Sequence, residues 1–142
     1  MNRGVSAVAR IISVSGLVGL SAVHTVWALG SPWPAKDPAQ LAEAVVGQTV
    51  ELPAAAPTAV VAIGAAGAGL LASGLLGRGR SQRVVLRALG LGMVARAAAG
   101  GGVALTVLGL PPAGETFSRL DRRYYRPCAA VLGLSLWLAA SQ

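Results

Sequence analysis

The sequence predicts an all-α fold: a four-helix transmembrane bundle with an irregular external loop between its first two helices. Three observations carry that expectation. Apolar runs occupy residues 11–30, 57–77, 84–110 and 124–140, and each is close to the roughly 20 residues that cross a bilayer at about 1.5 Å per residue. Hydrophobic residues make up 54% of the 142 positions and charged residues only 12%, about half the share usual in soluble domains. Too few charges remain to cover a water-facing exterior of that size, so lipid is the expected solvent. Finally, the breaks between runs are short and polar, and all 142 residues form one domain.

The first run follows a basic lead with Arg3 and Arg10 and contains one histidine, His24, and Trp27. A signal peptide is the competing reading, with a small-residue cleavage site at Ala28-Leu29-Gly30. The run is long for that role, and three more spans follow it. Pro32, Pro34, Pro38 and Pro53 then exclude a regular spanning helix from residues 31–56. Within that loop Asp37 is placed to cap a short helix over 38–47, with Pro38 at its first position and Glu43 on its polar side. Leu41, Ala44, Val45 and Trp33 would lay this helix on the membrane surface.

In the second run Ala65, Gly69, Ser73 and Gly77 recur every fourth position and share a helix face. Small side chains there allow a neighbouring helix to come close. Arg78, Arg80, Arg83 and Arg87 crowd the loop that follows. In the third run Ala88, Gly92, Arg96, Gly100 and Ala104 share one face, and Gly100-Gly101-Gly102 predicts a soft or kinked segment. Pro111-Pro112 ends that run. Residues 113–123 read as a charged loop, and the last helix starts near Tyr124 with Pro127 in its first turn. Trp137 marks its far interface.

The net charge is +7, but the basic residues are divided among loops rather than gathered on one face, so no nucleic-acid partner is expected. Eleven arginines against one lysine, with abundant Ala and Gly, suggest a high-GC bacterial source. The single cysteine, Cys128, forms no internal disulfide, and no Cys/His ligand set is present, so neither a metal nor another cofactor is expected. The glycines at 64, 67 and 69 lie within an apolar helix with no preceding strand and so do not form a dinucleotide loop.

An even number of spans puts both termini on one side of the cell membrane. With the termini in the cytoplasm, six arginines face inward (Arg3, Arg10 and those at 78, 80, 83 and 87) and five basic residues face outward (Lys36, Arg119, Arg122, Arg123, Arg126). All five acids then lie outside. The margin is small, but the first helix usually dominates and carries arginines only before it.

Arg96 is the most informative single residue. It lies about 18 Å along a helix that starts near Val84, where a charge is costly and calls for an interior position and a partner. His24 and Trp27 are three apart and share a face. His24 reads either as a neutral side chain bonded to a neighbouring helix or as a proton-handling group. Asp121, Tyr125 and Arg126 flank the start of the fourth helix, either as a cap with an aromatic belt residue or joined to His24 and Arg96 in a polar cluster open to the outside. His24, Trp27, Arg96, Asp121 and Tyr125 are therefore the candidate site.

Two segments resemble a known family. His24-Thr25-Val26-Trp27-Ala28-Leu29-Gly30 is similar to the H-x-x-W-A-L-G that closes the first helix in the DUF3995 family of small bacterial membrane proteins. Residues 117–128, FSRLDRRYYRPC, resemble that family's F-x-x-L-D-x-x-x-Y-S-P-L-C at the start of its fourth helix, and Arg96-Ala97 matches an R-A step of its third. Arg126 stands where the family usually has Ser, the Leu before Cys is absent, and Ala98-Ala99-Gly100 replaces a frequent I-G-D step and its acid. The resemblance implies the four-helix architecture and no particular activity. The leading expectation is a non-enzymatic membrane protein that binds a partner or a lipid-like ligand at its outer face. The alternatives are a transporter subunit, with Arg96 holding an anion and small-residue faces forming oligomers, and a membrane-embedded enzyme using His24 with Asp121 or Tyr125.

Overall fold

The structure, a computed structural model, describes residues 3–47 and 54–141. Glu51 and Pro53 of the long loop lie outside the described residues. All regular structure among those described is helical: α1 (Arg3–Ala28), α2 (Pro38–Val45), α3 (Ala55–Ser73), α4 (Arg80–Ala99), α5 (Gly101–Val107), α6 (Glu115–Leu120), a π-helical turn (Asp121–Tyr125) and α7 (Arg126–Ala139). Two of these, α1 from Gly4 onward and α3, are each long and apolar enough to cross a membrane, and α4 with α5 makes a third if the bent pair counts as one span.

The basic lead is helical from Arg3, so α1 begins well before the apolar run. It ends where the Gly30 and Ser31 amides turn back to the carbonyls of Trp27 and Val26, at 2.9 and 3.2 Å. The short helix after Asp37 forms as expected: the Asp37 carboxylate accepts from the Gln40 amide at 2.9 Å, and Pro38 opens the first turn. Its apolar side does not face outward, however. Leu41 and Ala42 are buried, because α2 packs on α6 instead.

Helix α3 stops at Ser73, four residues short of the expected end, where Gly74 takes a left-handed conformation (φ 78°) that closes the helix. The third apolar run is not one continuous helix with a soft point but two helices. Gly100 adopts φ 84°, ψ 163°, a backbone region open essentially to glycine alone. The chain turns there, so that α5 leaves the axis of α4 at 108°. The segment expected as a charged loop is helical from Glu115. Its charges occupy the outer face while Phe117 points inward and is buried. Helical backbone then continues to Ala139 through α7, whose first turn holds Pro127 as expected. Proline lacks a donor, and its ring crowds the carbonyl four residues back, here Arg123. The π turn ending at Tyr125 widens the backbone just upstream of it, and the Arg126 amide reaches back to the Asp121 carbonyl.

The long helices pack in sequence, α3 along α1, α1 along α7 and α7 along α4. The packed faces are built from small side chains. Ala62, Ala65, Ala68 and Ala72 of α3 are buried, and Gly69 lies against Leu17, which its added Cβ would meet at 3.6 Å. Among the described residues a side-chain bond crosses this pair from Ser21 Oγ to the Ala62 carbonyl at 2.8 Å. Between α4 and α7 the approach is closer still: a Cβ at Gly90 would lie 2.7 Å from the Gly133 carbonyl oxygen. The face of α4 that packs is thus the one bearing Leu86, Gly90 and Ala97, not the one bearing Ala88 and Gly92, which are exposed. Ile11, Val18, Val60, Ile63, Leu91, Val131 and Leu134 point away from the packed faces. Large aliphatics outside and small residues inside is the pattern expected when lipid surrounds the helices.

The glycine crossing gives a direct test. Gly90→Ala should lower the unfolding midpoint of the detergent-solubilised protein, at a cost of about 1–3 kcal/mol, because backbone must move to admit the methyl group. Gly92→Ala, with nothing within 4 Å of the added Cβ, should leave the midpoint unchanged or raise it.

Candidate functional site

The 108° corner brings four segments together: the end of α4, the start of α5, α6 and the π turn. Arg96 is on the last turn of α4 and points towards the π turn, where Asp121 is buried. Arg96 Nη2 donates to Asp121 Oδ1 at 2.5 Å, and the Gly101 amide donates to Asp121 Oδ2 at 2.8 Å. Both carboxylate oxygens are therefore engaged, one by a charge and one by the backbone at the corner. This is the acid that Arg96 requires, supplied by a residue 25 positions later rather than by its own helix.

Arg126 closes the same corner from the other side. Its Nε donates to the Ala97 carbonyl at 2.7 Å and its Nη2 to the Ala98 carbonyl at 2.8 Å. These are carbonyls at the end of α4, which the break at Gly100 leaves with few helical partners. A cation there also suits the negative end of the helix dipole. Phe117 completes the packing: its ring fills the space beside Gly101, where a Cβ would fall 2.5 Å from the ring. Only glycine at position 101 admits that ring.

Tyr125 ties in the neighbouring layer. Its ring lies 6.1 Å from that of Phe117, and its hydroxyl donates to the Ala44 carbonyl of α2 at 3.1 Å. A hydrogen bond from Thr116 to Glu43 and one from the Gly114 amide to the Gly47 carbonyl fasten α2 to α6 along its length. Above the corner runs an open groove bordered by Gly100, Gly102, Val103, Phe117, Arg122 and Arg126.

Of the five candidate residues, then, Arg96 and Asp121 meet directly and Tyr125 stands beside them through Phe117. His24 and Trp27 are engaged elsewhere. His24 Nδ1 lies 2.8 Å from the Leu20 carbonyl of its own helix, and since that oxygen only accepts, Nδ1 carries the proton. The His24 and Trp27 rings are 4.9 Å apart, and Trp27 Nε1 donates to the Trp33 carbonyl at 2.7 Å. Their arrangement closes the end of α1 and the turn after it. Phe117, Gly101 and Glu43 were not among the candidates. The Gly triplet was a visible sign for Gly101, but nothing local marks Phe117 or Glu43, whose partners are remote in sequence.

The Arg96–Asp121 pair is stabilising only while intact, since either residue alone leaves a poorly solvated charge. The Arg96 side chain keeps 28% of its exposure and that of Asp121 7%, so some of the penalty is relieved. Asp121→Asn should cost about 2–3 kcal/mol in detergent unfolding. Combining it with Arg96→Met should recover part of that loss, because the orphaned cation is then gone. A double variant less stable than Asp121→Asn alone would contradict the assignment.

Comparison with known proteins adds one result. The sequence model of a family described as a protein of unknown function, DUF3995, matches residues 17–136. The chain matches no curated protein and no solved structure. The matched stretch begins at Leu17 in α1 and ends at Leu136 in α7, both core residues, and it includes every residue of the corner described above. The chain therefore belongs to the DUF3995 family.

Proposed function

We propose that this protein is a multi-pass membrane protein with four crossings, a binding protein rather than a transporter or an enzyme, whose outward-facing corner receives a membrane-protein partner or a lipid-like ligand. The observation that carries the membrane reading is the outward display of large aliphatic side chains over small-residue interfaces. Helix α4 alone has 20 residues, about 30 Å by helix rise, which matches the hydrocarbon thickness. Helix α5, turned by 108°, then lies along the membrane surface instead of crossing. Arg96 falls near the outer interface, with its charge neutralised by Asp121. The continuous helical backbone from Glu115 to Ala139 makes the last crossing.

The corner supports binding better than transport or catalysis. An anion carrier would need an unneutralised Arg96, and Asp121 already balances its charge through Nη2. A His24-based enzyme would need that imidazole beside Asp121 or Tyr125, and its bond goes to Leu20. The open groove over the corner is the surface that remains.

Thiol labelling tests this topology. In a Cys128→Ala background, Lys36→Cys should react with a membrane-impermeant reagent in intact cells, and Ser81→Cys only after permeabilisation. Both positions are exposed, outside or at the edge of the spans. The reverse pattern would invert the protein, and equal reaction of both in intact cells would remove the crossing by α3.

A further inference from the structure

At the end of the helices away from the corner, α1, α3, α4 and α7 enclose a small cleft. It is lined by Arg10 of α1, Arg78 of the α3–α4 loop, Gln82 and Arg83 of α4, and Ala139 and Ala140 at the end of α7. Arg10 Nε is buried there and has no hydrogen-bond partner. Arg78 and Arg83 make no hydrogen bond or ion pair among the described residues. Gln82 is held in place by donating to the Leu71 carbonyl, which fixes one wall of the cleft.

Among the described residues no acid neutralises this cluster. Asp37 caps α2, Glu43 is bonded to Thr116, Glu115 opens α6 and Asp121 holds Arg96. All four belong to the opposite end of the helices. Three guanidinium groups thus converge on one cleft with an unmet buried donor among them. A buried donor without a partner costs free energy that a bound acceptor would recover. Arginine forks suit phosphate in particular, because they offer paired donors to its oxygens.

The surroundings select the kind of phosphate. Leu75 and Leu76, immediately before Arg78, are 79% and 68% exposed, and Val84 and Val85 beside Arg83 are exposed as well. Apolar side chains flanking arginines at the end of membrane-length helices match the headgroup boundary of a bilayer, with the chains of a lipid beside the leucines and its phosphate at the arginines. We propose that this cleft binds the phosphate headgroup of an anionic membrane lipid through Arg10, Arg78 and Arg83. The site lies at the other end of the protein from the groove and rests only on the bilayer reading of the preceding subsection.

The full chain, purified in detergent and incorporated into phosphatidylcholine nanodiscs with a minor share of phosphatidylglycerol, provides the test. Native mass spectrometry of the lipids retained should show phosphatidylglycerol enriched over phosphatidylcholine. Each arginine facing an anionic headgroup is worth about a factor of five, so Arg78→Gln with Arg83→Gln should reduce the enrichment by about 25-fold. Arg119→Gln with Arg123→Gln, equally exposed at the opposite end and outside the groove, should leave it intact. Arg10→Gln should also weaken it; should that variant fail to fold, the exposed pair Arg78 and Arg83 still decides. No enrichment in the native sequence overturns the proposal, as does equal loss in both double variants, which would mean bulk charge attraction. Displacement by inorganic phosphate at matched concentration would make the cleft a site for a soluble anion and overturn the lipid assignment. Recovery of the chain as a soluble monomer without detergent would instead remove the bilayer reading itself, a distinct outcome.

Discussion

One carboxylate holds the corner of this protein together. Asp121 accepts from the Arg96 side chain with one oxygen and from the Gly101 amide with the other. The first bond pairs the arginine on the last turn of α4. The second satisfies an amide that the break at Gly100 would otherwise leave without a helical partner. The turn between α4 and α5, the seat of Phe117 and the placement of α2 over α6 all follow from that junction. Arg126 adds a second cation and covers the carbonyls that the same break exposes. A sharp turn in an apolar setting is tolerable only when its freed backbone groups find partners, and here two side chains from one short stretch of helix supply them.

The rest of the fold is held by close approach rather than by large buried side chains. The alanines of α3 and the glycine pair of α4 and α7 let backbones come near enough for dispersion contacts to accumulate. The large side chains, displaced from those faces, point outward. In water that arrangement would be costly; in hydrocarbon the outward aliphatics cost nothing, and tight packing is the force that remains. The same logic explains the two charge environments. At the corner, Arg96 pairs with an acid and Arg126 with carbonyls; at the opposite end, Arg10, Arg78 and Arg83 have neither among the described residues.

Much of this was legible in the sequence. The apolar runs mark α1 and α3, Asp37-Pro38 marks the start of α2, the Gly100 triplet marks the break, and a charge at Arg96 demands a partner. The sequence offered Asp121 in one cluster with Arg96 but could not choose that pairing over a capping role, since the two are joined only by the return of the chain. Helix α6 was hidden because it is short and polar, with Glu115 and Arg119 running into the charged π turn, while its inward face rests on Phe117 alone among the buried positions. The wall that α2 forms over α6 was hidden too: its apolar side suits a lipid surface and a protein surface equally well. His24 and Trp27 were correctly paired with each other, but a shared helix face says nothing about which remote residues that face meets.

The π turn at Asp121–Tyr125 also governs phase. One surplus residue in a helical turn rotates everything upstream by about 100° relative to everything downstream. Asp121 therefore faces Arg96 of α4 on the same side as Gly133 faces Gly90 of α4, although a uniform helix through the same residues would send the two along different bearings. The inserted residue works as a coupling with a built-in twist: it lets one continuous helix present both ends to the same neighbour, and it makes the length of this segment, as much as its composition, part of what defines the corner.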